Sequence, residues 1–190
     1  GGDEGDRYEE DSYVGYRYFE TFAPAREKVL YPFGFGLSYT SFAMQWDMAE
    51  EEDGCVFRVK VKNTGAYAGK EVVQVYAEAP QGVLGKPLRV LAAFAKTRCL
   101  APGEEQEIAL KAGKAVLASY DDGGLTGHRS CYVLEAGEYH FYVGGDVRSA
   151  GLAGCMRVEE TQILEQCSQA LAPVIQYQRM KPAPAENGKL

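Results

Sequence analysis

Phe57, Val59 and Val61 alternate with Arg58, Lys60 and Lys62. A strict period of two puts one set on a buried face and the other in water, so this run must be a half-buried strand. The alternation recurs along the chain. Phe42, Met44, Trp46 and Met48 are interleaved with Ala43, Gln45 and Asp47, and further apolar faces come from Leu88, Val90, Ala92 and Phe94, from Ile108 with Leu110, and from Tyr139, Phe141 and Val143. Val73, Val75 and Ala77 share one side of another run whose opposite side is Val72, Gln74, Tyr76 and Glu78. A last short strand is expected near Leu152 to Val158. Between the runs lie Asn63-Thr64-Gly65, Pro80-Gln81-Gly82, Ala101-Pro102-Gly103, Asp121-Asp122-Gly123-Gly124 and Glu135-Ala136-Gly137. Each supplies residues suited to a turn, by tolerating positive φ or presetting φ near −65°. Many short strands joined by such turns predict an all-β, immunoglobulin-like antiparallel sandwich. Helical signal is scarce, and the one candidate is Thr161 to Leu171, where Leu164, Cys167 and Leu171 share a side before Pro173.

The chain has 190 residues, enough for one domain with flanking pieces. Its net charge of −7 argues against a nucleic-acid or anionic-membrane partner, because phosphate affinity needs a positive surface. The acids cluster in Gly1 to Ser12 and in Glu50 to Asp53, which must stay solvated. No apolar run approaches the roughly 18 to 20 residues needed to span a bilayer, and the acidic start is unlike a signal peptide. Five scattered cysteines (Cys55, Cys99, Cys131, Cys155, Cys167) form no CxxC pair. They are expected to be reduced and mostly buried, which favours a cytoplasmic setting. His128 and Cys131 lie three apart, but two ligands do not make a zinc site. His140 reads as an ordinary strand residue. The expectation is therefore no metal and no cofactor.

Residues 8 to 40 are different. Tyr8, Tyr13, Tyr16, Tyr18, Phe19 and Phe22 precede the segment Tyr31-Pro32-Phe33-Gly34-Phe35-Gly36-Leu37-Ser38-Tyr39. Such aromatic density implies burial against something, while the Pro and Gly breaks argue against a self-contained element. The segment is expected to be an arm whose rings pack on a neighbouring domain.

The residues from Tyr8 to Phe19, with Tyr13-Val14-Gly15-Tyr16-Arg17 at their centre, and those from Tyr31 to Phe42 closely resemble glycoside hydrolase family 3, which includes β-glucosidases and β-xylosidases. The resemblance continues through Asn63-Thr64-Gly65, Glu71 to Tyr76, Lys86-Pro87-Leu88, Leu91 to Phe94, Leu100 to Glu104, Gly137-Glu138-Tyr139 and Val143-Gly144, so it covers about residues 8 to 158. Asp11 stands where a Gly is common in the family. The resemblance implies a fibronectin type III-like sandwich in the C-terminal part of such an enzyme, preceded by the end of its α/β domain. Three parts are expected: residues 1–41 as the end of that domain and the linker arm, 42–160 as the sandwich, and 161–190 as a short helix and tail. In the family's usual arrangement the chain ends soon after the last sandwich strand. The residues beyond it here lean toward a permuted parent in which the barrel follows.

The family's reaction uses an Asp nucleophile and a second carboxyl about 5 Å apart, both in domains this sequence does not contain. The nucleophile's Ser-Asp-Trp-like motif is missing, since the single tryptophan, Trp46, follows Met44-Gln45. Local carboxylates do not replace the pair. Glu10 and Asp11 are adjacent on an extended segment and point to opposite sides, as do Asp121 and Asp122. No catalytic, binding or metal-ligating residue is therefore assigned, and Arg17 is expected to stack or pair within a domain interface. The expected function is a non-catalytic accessory domain, with the parent's catalytic domains as its partner and terminal β-D-glucosides as the parent's substrate, hydrolysed with retention. The competing reading is an independent carbohydrate-binding module using Tyr76, Tyr132 and Tyr142 as a platform, or a cell-surface interaction module.

Overall fold

The computed structural model describes residues 11–169 and 180–182. In chain order these hold α1 (Tyr16–Thr21), α2 (Ala23–Arg26), β1 (Phe42–Glu51), β2 (Gly54–Asn63), β3 (Val72–Glu78), β4 (Val90–Lys96), β5 (Glu105–Gly113), α3 (Lys114–Leu117), β6 (Ser119–Asp121), β7 (Cys131–Leu134), β8 (Gly137–Gly144), β9 (Gly151–Val158) and β10 (Gln162–Gln166). Every named strand pairing is antiparallel. One sheet runs β1-β2-β5, a second β4-β3-β8-β9, and a small third sheet β10-β7-β6. This is the all-β sandwich that the alternating runs require.

The core is the sum of the inward faces. Phe57, Val59 and Val61 of β2 meet Val73 and Val75 of β3 and Tyr139, Phe141 and Val143 of β8, all sealed from solvent. Phe57 and Phe141 join the sheets ring to ring at 5.3 Å. β1 closes one side with Phe42, Met44, Trp46 and Met48 only half-buried, as befits an edge strand. On the outward face Lys60 and Lys62 approach Glu105 of β5, at 4.0 and 3.0 Å. The acidic knot 50–53 is the exposed tip of the β1–β2 hairpin, relieved by Lys111, which lies 3.6 Å from both Glu51 and Asp53. Gly54 closes that hairpin at φ +131°, where a Cβ would lie 2.2 Å from the Ala112 carbonyl oxygen. Only glycine lets β2 and β5 approach so closely.

Two expectations are corrected. The helix expected over Thr161 to Leu171 is instead β10 at Gln162–Gln166, running antiparallel to β7; Ala170 and Leu171 lie outside the described residues. The apolar spacing there is compatible with either period over so short a run, and the open edge of β7 decides for the strand. The cysteines are also not mostly buried: Cys55 and Cys131 are, Cys167 is half-buried, and Cys99 and Cys155 are exposed. Burial pushes the Cys55 thiol up to about 11, with the Glu50 charge adding to it.

Candidate functional site: the aromatic arm and its docking face

Residues 11 to 40 fold back along the outer face of the four-stranded sheet. That face exists because β3 is buried on both sides. Tyr76 is wholly buried on the side away from the core, with Val147, Ala150, Leu91 and Tyr142 around it. Its hydroxyl donates to Gln74 Oε1 at 2.5 Å, and the Gln74 amide donates to the carbonyls of Gly34 and Gly145. Gly34 sits at φ +86° with a notional Cβ only 2.2 Å from Gln74 Oε1, so a side chain there would lift the arm from the sheet. Val147 donates its N–H to the Phe33 carbonyl at 3.0 Å. Tyr16 stacks on Phe33 at 4.0 Å and 16°.

The arm also completes the sheet's edge. An edge strand carries backbone donors with no strand partner. Here the Leu91 N–H of β4 donates to the Tyr16 hydroxyl, and the Leu88 N–H to Thr21 Oγ1, both at 2.8 Å. Thr21 in turn donates to the Arg17 carbonyl at 2.6 Å. Glu20 is 5% exposed, and a buried carboxylate needs a charged partner. It has two: Arg148 Nε at 2.9 Å, on the turn after β8, and Arg26 Nε at 3.4 Å. Arg148 also donates to the Arg26 carbonyl at 3.0 Å. One side of the arm is thus fixed to the sandwich by backbone and side-chain hydrogen bonds and by a charge pair.

The other side is bare. Leu30, Leu37 and Tyr39 are 90%, 93% and 97% exposed, and Val14, Phe19, Tyr31 and Phe35 are exposed with them. Tyr31 and Phe35 stack on one another at 5.2 Å rather than on the sheet. Arg17 is exposed at the rim of a recess of about 200 Å³ that Ala77, Ala92, Lys86 and Tyr120 also line. Among the described residues no carboxylate is within ion-pair distance of it. Among the described residues the stacking or pairing expected of Arg17 is not made.

The other residues singled out in the sequence are placed as follows. Asp11 accepts from the Ser12 N–H at 2.6 Å and the Met180 N–H at 3.2 Å, while Glu10 lies outside the described residues. Asp121 is fully buried and accepts four hydrogen bonds, from the backbone of Gly124, Leu125 and Thr126 and from the Thr126 hydroxyl. Burial alone would push its carboxyl up, but these donors outweigh that and hold it below its ordinary value. Asp146 is likewise held down, against burial, by Ser149 and Arg148. The tyrosine platform is not assembled. Tyr76 is buried, Tyr142 is half-buried with the Arg89 guanidinium 3.8 Å from its ring centre, and Tyr132 belongs to the third sheet, 5.2 Å from Tyr120. The buried Lys86–Glu135 ion pair leaves no mark in the local residue pattern. Lys86 also donates to the Pro80 carbonyl at 2.9 Å, and Glu135 accepts from the Val83 N–H at 2.8 Å. Burial lowers the Lys86 ammonium pKa despite its partner. Among the described residues no three His, Cys, Asp or Glu side chains are grouped to hold a metal, and no helix is long and apolar enough to cross a membrane.

Comparison with known proteins fits this arrangement. Residues 71–147 match the fibronectin type III-like domain model. A β-glucosidase from Ruminococcus albus is 52% identical over 175 residues, covering 92% of this chain and 18% of its own length. The crystal structure of a β-glucosidase from Paenibacillus barengoltzii superposes with a TM-score of 0.91 at 49% identity, over 100% of this chain and 21% of that one. β-Glucosidase 3B from Thermotoga neapolitana, in complex with glucose, gives 0.70 at 42% identity over 82% of this chain and 21% of its own. The chain therefore spans about a fifth of the length of the proteins it resembles. With its motifs, its sandwich and these relatives in agreement, the chain belongs to glycoside hydrolase family 3, as a fibronectin type III-like domain together with the linker that leads into it.

Proposed function

We propose that this domain does no chemistry itself and holds the catalytic domains of a β-glucosidase in register, with the exposed side of the arm as the surface on which they pack. The observation that carries this reading is the two-sidedness of residues 11–40: one side is bonded to the sheet, and the other presents Leu30, Tyr31, Leu37 and Tyr39 to solvent. Large apolar side chains exposed together within one short segment fit an interaction surface, and aromatic anchors dominate such surfaces energetically. Arg17 supplies a cation at the rim for a carboxylate of the partner. Packing of this kind would act on rate by preorganisation, since a shift near 1 Å at the reacting groups can cost roughly 100-fold. In this reading residues 1–41 serve as the joint, 42–160 as the body and 161–190 as the tail. The parent's substrate class would be terminal β-D-glucosides, cleaved with retention by residues outside this chain.

The test replaces Leu37 and Tyr39 by Ser in the parent enzyme and follows aryl β-glucoside hydrolysis and thermal unfolding. Turnover should fall at least about tenfold and the melting temperature should drop, while the 190-residue chain alone turns over no substrate. Unchanged turnover and melting in the double variant would defeat the proposal, as would hydrolysis by the isolated chain.

A further inference from the structure

Beside the arm, at the end of the sandwich where β1 begins and β8 ends, lies an open cleft of about 360 Å³. That volume falls within the ordinary range for small-molecule sites, roughly 300 to 1,000 Å³. Phe35, Phe42 and Trp46 contribute aromatic walls, and Glu71, Asp146 and Ser149 contribute oxygens. Two of the rings are held in place by the sandwich. Trp46 presses its outer edge on Gly151, where even a Cβ would lie 3.1 Å away, and Phe42 and Met44 rest on the core. The oxygens are held too. The Glu71 Oε1 accepts from the Val72 N–H at 2.7 Å, and among the described residues no donor is bonded to the second oxygen of Glu71. Asp146 accepts from the backbone of Arg148 and Ser149, each at 2.9 Å, and from the Ser149 hydroxyl at 2.5 Å.

This mixture selects among ligand classes. A purely apolar occupant would strip water from two carboxylates and give nothing back. A simple metal cation would make no use of three rings. A pyranose meets both demands, because its ring carries an apolar C–H face and its rim carries hydroxyl donors that bond strongly to an ionised carboxylate. We infer that this cleft binds a glucosyl unit, with an aromatic wall against the sugar face and Glu71 accepting from its hydroxyls. The choice of glucose among sugars rests on the function proposed above; the cleft's preference for a sugar ring does not.

Trp46 is the only tryptophan in the chain, so its fluorescence reports on this cleft alone. The 190-residue chain is titrated with methyl β-D-glucoside and with cellobiose, using sorbitol as an acyclic control. A saturable change in Trp46 emission is expected with both sugars and not with sorbitol. Binding should weaken roughly tenfold in Glu71→Gln, the loss expected when a charge-assisted hydrogen bond is removed. It should also weaken in Phe35→Ala, whose side chain is exposed and can be cut back without disturbing the core. Circular dichroism confirms that each variant is folded. Emission that does not move with sugar, responds equally to sorbitol, or is indifferent to both substitutions overturns the inference. A blind cleft in a parent whose turnover still depends on Leu37 and Tyr39 would sink only this inference and leave the packing role standing.

Discussion

Asp121 ends β6 with its carboxylate sealed from solvent and with four donors from residues 124–126 directed at it. An adjacent Asp-Asp pair in a Gly-rich turn reads in the sequence as solvent-exposed charge. The fold turns the first of the two inward to organise its own loop, while Asp122 stays half-buried. Asp121→Ala leaves buried N–H groups without an acceptor and should destabilise the domain by about 2 to 4 kcal/mol in urea unfolding. The pH dependence follows from the depressed carboxyl. Its folded-state value lies below its unfolded one, so the stability it lends is present above roughly pH 4 and is lost as pH falls through the folded value. Acid unfolding should therefore be shallower in Asp121→Asn than in the wild type. Asn63 is the companion case. As part of Asn63-Thr64-Gly65 it is legible as a turn residue, yet its side chain is a buried hub, accepting from Thr40 Oγ1 and donating to the Tyr67 and Leu100 carbonyls, each at 2.8 Å. Residue type announces the turn; the long-range partners are invisible until the strands are placed.

At the scale of elements, the long alternating runs were plain in the sequence because a one-residue slip would turn every apolar side chain to water. β2 shows this: its inward Phe57, Val59 and Val61 and outward Arg58, Lys60 and Lys62 lie as the pattern requires. The short strands β6, β7 and β10 carry too few residues for a period to show, and their partners rather than their own propensities make them strands. The arm is a third kind of element, with little regular structure and an order borrowed from the sheet it covers. Gly34→Ala tests that dependence. A positive-φ alanine pressed against Gln74 should cost ~2 kcal/mol and free the arm. Hydrogen exchange should then quicken at Val147 and Leu91, whose amides the arm holds, while amides in β2 and β8 keep their protection. Equal acceleration in the core strands would show instead that arm and sandwich unfold as one.

For the whole molecule, the two ends of the described chain meet. The Met180 N–H donates to Asp11 Oδ2, and Lys181 Nζ donates to the Val83 carbonyl at 2.7 Å. Residues some 170 apart in sequence thus share the corner where the arm begins. This contact is exposed and lies away from the core, so Asp11→Ala combined with Lys181→Ala should change global stability by no more than about 0.5 kcal/mol. Exchange at residues 11–13 and 83–85 should nonetheless rise, and a large loss of stability would show that the corner contributes to the core. By itself the sequence determined the sandwich and the family, because burying a period-two apolar pattern leaves few alternatives and because the aromatic and glycine motifs are specific when joined. The tertiary structure alone decided which rings are covered and which are bare, that Asp121 turns inward, that Lys86 finds Glu135, and that Trp46 and Glu71 share a cleft. Each of these is a contact between residues distant along the chain, and such contacts leave no local period or spacing to read.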